Sequence, residues 1–269
     1  MNDTATASLD PGLTGHDARP VAGIDNGFLA GYRVRFDEAG PSGLLRTSAL
    51  LRYAQDVAWR HSEALGFDRE WYASRGLGWV VRGVDLEVAA PIPMGHTLRV
   101  STAVVGHRRI WARRLGDCRL ASGEPAASVT TDWVLLDARN RVVRIPGDFG
   151  VAFTNPEVHV EITRVPIPLD QGLVGTTSLH VRRSELDPVG HVNNAVYLDW
   201  VEQALAEAGL AGAVDALPRA CRLEYLASAA AGDPVDLEVR GTADAWSVRV
   251  VRGDGLELVR TAGGTNPAS

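Results

Sequence analysis

The sequence predicts an α+β fold built twice, each unit a long central helix wrapped by an antiparallel β-sheet. Two observations predict it. Tyr32 to Gln55 and Leu179 to Glu202 align without a gap at an offset of 147 residues, which marks an internal duplication. Strand-like segments joined by short turns follow each copy, and short links between consecutive strands imply antiparallel pairing. Val34 and Arg35 meet Val181 and Arg182, Glu38 meets Glu185, Pro41 and Gly43 meet Pro188 and Gly190, Leu51 meets Leu198, and Tyr53 meets Trp200.

Each copy opens with an alternating strand, with Tyr32, Val34 and Phe36 on one face in the first and Leu179 and Val181 in the second. A Pro/Gly-punctuated loop follows, then a helix. In copy one Thr47 or Ser48 caps the helix, and Leu50, Leu51, Tyr53, Ala54, Val57, Ala58 and Leu65 recur at helical spacing before Gly66 stops it. In copy two Asn194 caps, Val196, Tyr197, Trp200, Val201, Ala204, Leu205 and Ala208 form the apolar face, and Gly209 stops the helix. Faces this broad place both helices deep against a sheet. A short extra helix is expected from Asp68 to Arg75. Strands are expected at Leu77 to Ala89, Thr97 to Gly106, Ile110 to Leu120 and Ala126 to Asp137, and again at Cys221 to Ala227, Pro234 to Gly241, Trp246 to Val251 and Leu256 to Ala262. Gly95-His96, Ser122-Gly123 and Gly253-Asp254-Gly255 supply turns.

The expected organisation is a flexible tail over 1–26, an N-terminal repeat over 27–146, a linker over 147–175 rich in proline, and a C-terminal repeat over 176–265. Composition narrows the function. The chain of 269 residues carries a formal charge of −6 and has 45% hydrophobic residues, which are globular proportions. No basic block suits phosphate contacts, so nucleic acid is not an expected partner. All 27 basic residues are Arg, which excludes Schiff-base chemistry and a P-loop lysine. Cys118 and Cys221 lie far apart, with no C-x-x-C, so neither a disulfide framework nor a Cys-based zinc site is expected. Both read as small core residues. No metal or nucleotide motif occurs, so no cofactor is expected. Neither a membrane-length apolar run nor a signal peptide is evident, and a cytoplasmic location is expected.

The densest polar cluster is Asp187-Pro188-Val189-Gly190-His191-Val192-Asn193-Asn194, where copy two turns from loop into helix. Copy one has Gly40-Pro41-Ser42-Gly43-Leu44-Leu45-Arg46-Thr47 at the matching place, without the carboxylate or the imidazole. One active site per chain follows. Asp187 can orient a water or the ring, and His191 can take a proton near neutral pH. Backbone N–H groups from Val192 to Ala195 can polarise a carbonyl. The same residues also fit a capped turn, with Asp187 and Asn194 capping and His191 in the core. No G-x-S-x-G elbow is present, which argues against an α/β-hydrolase solution.

Leu186-Asp187-Pro188-Val189-Gly190-His191-Val192-Asn193-Asn194-Ala195-Val196-Tyr197-Leu198-Asp199-Trp200 resembles the D-x-x-G/Q-H-V-N-N-x-x-Y-x-x-W signature of hotdog-fold thioesterases. From Phe28 to Gly263 the chain is similar to the acyl-ACP thioesterases of plants and bacteria, which are double-hotdog proteins. Leu50-Leu51-Arg52-Tyr53-Ala54-Gln55-Asp56, His61, Leu65-Gly66, Trp79-Val80-Val81-Arg82 and Leu223-Glu224-Tyr225 support the likeness. The resemblance implies two tandem hotdog repeats and hydrolysis of fatty acyl-[acyl carrier protein] to free fatty acid. It implies Asp187 and His191 as catalytic residues; Asn193 is either a further site donor or a cap. The expected partner is acyl carrier protein bearing a pantetheine-linked fatty acyl chain.

Two departures from the family bear on mechanism. Val189 stands where the family often has Asn, and Ser228 and Ala229 stand where plant members have Glu and Cys. A water nucleophile is therefore expected. Arg108, Arg109, Arg113 and Arg114 around Trp111 form a basic cluster, either a docking patch for an acidic carrier or the outer face of a solvated hairpin. His61, near a helix C-terminus, reads as a structural cation suited to the helix dipole. Competing functions are an acyl-CoA or polyketide-type hotdog thioesterase, a hotdog dehydratase, and a non-catalytic acyl-carrier-binding protein. The assembly is expected to be a monomer or a homodimer.

Overall fold

The computed structural model of the protein describes residues 27–152 and 164–265. The expected N-terminal tail lies outside them. Copy one comprises β1 (Phe28–Arg33), α1 (Thr47–Ala64), α2 (Arg69–Arg75), β2 (Leu77–Val88), β3 (Thr97–Arg108), β4 (Trp111–Leu120) and β5 (Pro125–Asp137). A short α3 (Gly147–Ala152) follows. Copy two comprises β6 (Leu173–His180), α4 (Val196–Glu207), α5 (Gly212–Asp215), β7 (Arg219–Tyr225), β8 (Pro234–Gly241), β9 (Ala245–Arg252) and β10 (Glu257–Gly264). The expected linker span thus contains α3 at one end and the first residues of β6 at the other.

All ten strands form one sheet in the order β1-β3-β4-β5-β2-β7-β10-β9-β8-β6. That order reads as the same five-strand pattern from each edge inward, joined at β2 and β7, which pair antiparallel with Gly83 opposite Glu224. This is the double-hotdog arrangement the resemblance implies. Each long helix lays its apolar face on its own half-sheet. Leu50, Leu51 and Val57 of α1, and Tyr197, Val201 and Leu205 of α4, are buried in one continuous core with Val84, Leu86, Leu223 and Val250. Burying each such Leu or Val contributes about 1.5–3 kcal/mol, so the helices are fixed by packing rather than by propensity.

The duplication extends to individual hydrogen bonds. In copy one Gly40 N–H donates to Leu44 O at 2.8 Å, Gly43 N–H to Gly40 O at 2.9 Å and Arg46 N–H to Glu38 O at 3.0 Å. In copy two the counterparts are Asp187 to His191 at 2.8 Å, Gly190 to Asp187 at 3.0 Å and Asn193 to Glu185 at 2.9 Å. Gly43 and Gly190 both take positive φ, +75° and +84°, which a side chain would oppose. Beyond the helices the offset falls to 137, the separation of the paired Asp85 and Arg222, because α1 and α2 are longer than their copy-two counterparts α4 and α5. The N–H of Leu45 accordingly donates to Ile92 O at 2.8 Å, as that of Val192 does to Ala229 O at 3.3 Å.

Several local expectations are corrected. Phe36 is not on the strand: it starts a 3-10 turn and is 84% exposed, because β1 ends at Arg33. Neither Thr47 nor Ser48 caps α1; the N-cap is Arg46, without a side-chain hydrogen bond. The Thr47 hydroxyl instead accepts from Arg219 at 3.3 Å. Asp68 does cap α2, accepting from Trp71 N–H at 2.8 Å. The basic cluster is divided by strand alternation, which sends neighbours to opposite faces. Arg113 makes two 2.7 Å bonds to Asp132, while Arg114 is buried with Nη1 3.0 Å from His61 Nδ1. Only Arg108 and Arg109 remain exposed. His61 is itself buried beside the Arg114 guanidinium rather than exposed at the helix end.

Candidate active site

The site is built from the loop 187–195, the first turn of α4 and the segment after β7. Asp187 and His191 fall in one tight turn, as their spacing implies. The contact between them differs from the expected one. Asp187 Oδ1 accepts from the backbone N–H of Val189 at 2.9 Å and of His191 at 3.2 Å, and no side-chain bond joins the carboxylate to the imidazole. The carboxylate clamps the loop. Pro188, Val189, Gly190 and His191 are exposed, so the His191 ring faces solvent at the loop tip rather than the core.

Asn193, not Asn194, supplies the side chain at the helix start. Its Oδ1 accepts from Ala195 N–H at 2.9 Å, and its backbone carbonyl accepts from Val196 N–H at 2.9 Å. The carboxamide NH2 of Asn193 has no acceptor among the described residues. Asn194 contributes its carbonyl, which accepts from the Tyr225 hydroxyl at 2.8 Å. That bond ties the helix start to the end of β7. Burial holds the Tyr225 phenol well above its usual range and pushes the Tyr197 phenol up to about 12, so both stay protonated; the buried Tyr197 hydroxyl has no hydrogen-bond partner among the described residues.

The expected run of open amides is shorter than the sequence implies. Val192 N–H is taken by Ala229 O, Asn193 N–H by Glu185 O and Ala195 N–H by Asn193 Oδ1. Among the described residues the N–H of Asn194 alone of the four has no acceptor. It sits at the N-terminus of a buried helix, where the dipole favours negative charge. Ser228 is exposed and Ala229 buried, both directly beside the loop through the Val192–Ala229 bond. Cys118 and Cys221 lie on β4 and β7, where burial pushes both thiols up to about 12. No cluster of three or more His, Cys, Asp or Glu able to hold a metal occurs among the described residues.

Sequence reasoning missed a polar cleft at the matching end of copy one. It is lined by Arg46, Ser48, Arg52, Asp199, Glu202 and Asp215 among others, and not by Asp187 or His191. The signal was available in Arg46 and Glu202, but their proximity depends on how the two repeats pack.

Comparison with known proteins follows the same lines. The acyl-ACP thioesterase N-terminal domain matches residues 25–152 and the acyl-ACP thioesterase C-terminal domain residues 173–258. The chain is 26% identical over 197 residues to oleoyl-acyl carrier protein thioesterase 2, chloroplastic, of Arabidopsis thaliana, covering 65% of this chain and 53% of that protein. It therefore spans about half the length of the curated relatives it matches. A solved 12:0-ACP thioesterase from Umbellularia californica superposes with a TM-score of 0.75 at 22% identity, covering 90% of this chain and 98% of that one. An acyl-ACP thioesterase from Bacteroides thetaiotaomicron gives a TM-score of 0.76 at 17% identity, over 89% and 97% of the two chains. With both domain matches in chain order on a duplicated hotdog sheet, the protein belongs to the acyl-ACP thioesterase family.

Proposed function

We propose that the protein is a thioester hydrolase acting on fatty acyl-[acyl carrier protein] and releasing free fatty acid. One observation carries the reading. The two repeats hold the same loop with the same hydrogen bonds, yet only the second bears Asp187, His191 and Asn193 in front of a helix start with an open amide.

In this reading the acyl carbonyl oxygen lies against the Asn194 N–H and the Asn193 carboxamide NH2, which stabilise the developing oxyanion. A water attacks the carbonyl carbon as His191 takes its proton. The C–O bond forms, the C–S bond breaks, and the proton passes to the departing pantetheine sulfur. Asp187 acts through the loop: it fixes the His191 backbone and places negative charge beside the imidazolium that forms. No thiol nucleophile is involved at Ala229. Arg108 and Arg109 are the exposed remnant of the basic cluster and offer weak attraction to an acidic carrier. The internal β2–β7 joint supplies the repeat contact within one chain, which permits a monomer without excluding a homodimer. Two unpaired cysteines fit a reducing compartment such as the cytoplasm.

A second reading, a non-catalytic acyl-carrier-binding protein, is favoured by Val189, Ser228 and Ala229 at positions where relatives place Asn, Glu and Cys. A thiol-release assay separates them, using acyl-ACP and acyl-CoA of one chain length with the wild type and His191→Ala. Thiol release faster on acyl-ACP and lost with His191→Ala supports the proposal. Saturable acyl-ACP binding without thiol release supports the second reading, and preference for acyl-CoA moves the substrate class.

A further inference from the structure

The approximate two-fold axis between the repeats can be read from paired residues. On the helices it passes between Arg52 and Asp199, counterparts that meet each other. On the sheet, the offset of 137 carries the pair Leu86–Cys221 into Val84–Leu223, and both pairs occur where β2 meets β7. A contact between one repeat's loop–helix junction and the other repeat's helix therefore has a counterpart at the second junction.

At the start of α1 that contact is charged. Arg46 and Glu202 line one cleft with Arg52 and Asp199, and Arg46 lies close enough to favour the ionised Glu202 carboxyl. The offset of 147 turns Arg46 into Asn193 and Glu202 into Gln55. Gln55 sits on α1 one turn beyond Arg52, as Glu202 sits on α4 one turn beyond Asp199, and both are half-buried. The Gln55 carboxamide has no hydrogen-bond partner among the described residues, and the Asn193 NH2 has no acceptor among them. Two neutral carboxamides thus stand in place of the charged pair at the junction that carries Asp187 and His191. The first repeat borders this junction elsewhere as well. Arg82 on β2 donates to Leu226 O at 3.3 Å, next to Tyr225, whose hydroxyl bonds Asn194 O.

We propose that Gln55 of the first repeat is a further catalytic residue in the site of the second, its Nε2 donating to the thioester carbonyl oxygen beside the Asn193 carboxamide and the Asn194 N–H. This rests on the hydrolase reading and adds what the first repeat contributes to the chemistry. As water adds to the carbonyl carbon, the oxygen takes up negative charge, and a donor already aimed at it counts most at that moment. Gln55 gives up no proton. The charge on the oxygen returns to the C=O bond as the C–S bond breaks. At the other junction Glu202 stands in the same place, and a carboxylate there opposes an oxyanion. The two junctions therefore differ in what the opposite repeat presents, as well as in Asp187 and His191.

The test is steady-state thiol release from a fatty acyl-ACP by the full chain, for the wild type, Gln55→Ala, Gln55→Met, Gln55→Glu and Glu202→Gln, with urea midpoints measured alongside. Gln55→Met keeps the volume and removes the donor. Gln55→Glu keeps the shape and adds the charge that Glu202 carries. Gln55→Ala and Gln55→Met should lower kcat ~10²–10³-fold while KM stays within about threefold, and Gln55→Glu should be slower still. Glu202→Gln, at the junction without Asp187 and His191, should stay within about threefold of wild type. A fall in kcat of less than about tenfold for folded Gln55→Met, a loss confined to KM, or Gln55→Glu as active as the wild type would overturn the proposal and leave the hydrolase reading standing. No thiol release by the wild type would overturn both.

Discussion

Arg52 and Asp199 form an ion pair of 2.6 Å across the contact between α1 and α4, and they are separated by 147 residues, the offset of the duplication itself. Each is therefore the other's counterpart. The pair lies where the two repeats meet about their approximate two-fold axis, and divergence has turned one shared position into opposite charges. Both side chains are more than a third exposed or nearly so, at 43% and 34%, so screening limits the gain. A double-mutant cycle with Arg52→Ala and Asp199→Ala, followed by urea unfolding, is expected to give a coupling of about 0.5–1 kcal/mol that shrinks at high salt. Zero coupling at low salt would show that the pair does not help join the repeats.

Close packing where β10 crosses β7 makes a sharper stability prediction. A Cβ at Gly263 would lie 2.5 Å from the Trp246 ring and 2.6 Å from the Ala220 carbonyl. The Ala220 carbonyl is fixed in the β7–β10 ladder, so Gly263→Ala should cost about 1–3 kcal/mol by overpacking. An unchanged denaturation midpoint would show that the strand relaxes.

Duplication, helices and most strands were legible because their causes are local: the repeated Pro/Gly loop, the apolar spacing of α1 and α4, and turn glycines such as Gly95, Gly123 and Gly255, all at positive φ. The strand order and the β2–β7 joint were not legible, since pairing partners distant in sequence leave no local mark. Phe36 was misplaced because a 3-10 turn interrupts an alternation that continues on paper. The Asn pair was assigned one residue late. Asn193 and Asn194 are equivalent as turn formers, and only the tertiary contact of Asn194 O with Tyr225 decides between them. The basic cluster dissolved because Asp132 and His61 arrive from other elements.

Asp187 serves the loop through its backbone contacts, so its two natural substitutions should separate structure from charge. Asp187→Asn keeps a carbonyl oxygen to accept from Val189 and His191, whereas Asp187→Ala removes it. Asp187→Ala should lose about 1–2 kcal/mol of stability, as for a lost cap, while Asp187→Asn stays near wild type. If the carboxylate charge supports the imidazolium, Asp187→Asn should still lower hydrolysis by ~10²–10⁴. Normal turnover of folded Asp187→Asn would remove the charge from the mechanism.

Asp137 is held down to about 2, chiefly by its hydrogen bonds with Arg141, and Asp254 likewise by Arg252. Both are lowered below the unfolded carboxylate value of about 4. Their contribution is thus present above that pH and is lost as the pH falls towards about 2. Carboxyl NMR titration should show these two among the last side chains to protonate; midpoints near 4 would contradict the turn geometry.

Thiols pushed up to about 12 are almost entirely protonated at neutral pH. Iodoacetamide at pH 8 should leave Cys118 and Cys221 unmodified in the native protein and label both in denaturant. Rapid native labelling of either would show that its strand opens.

The most direct measurement of the whole account compares two substitutions at equivalent places in the repeats. kcat/KM on a fatty acyl-ACP should fall ~10²–10⁴ for His191→Ala and stay within about threefold of wild type for Leu44→Ala, its copy-one counterpart. Equal losses from both, or undiminished hydrolysis by folded His191→Ala, would contradict a single proton-transfer centre in the second repeat.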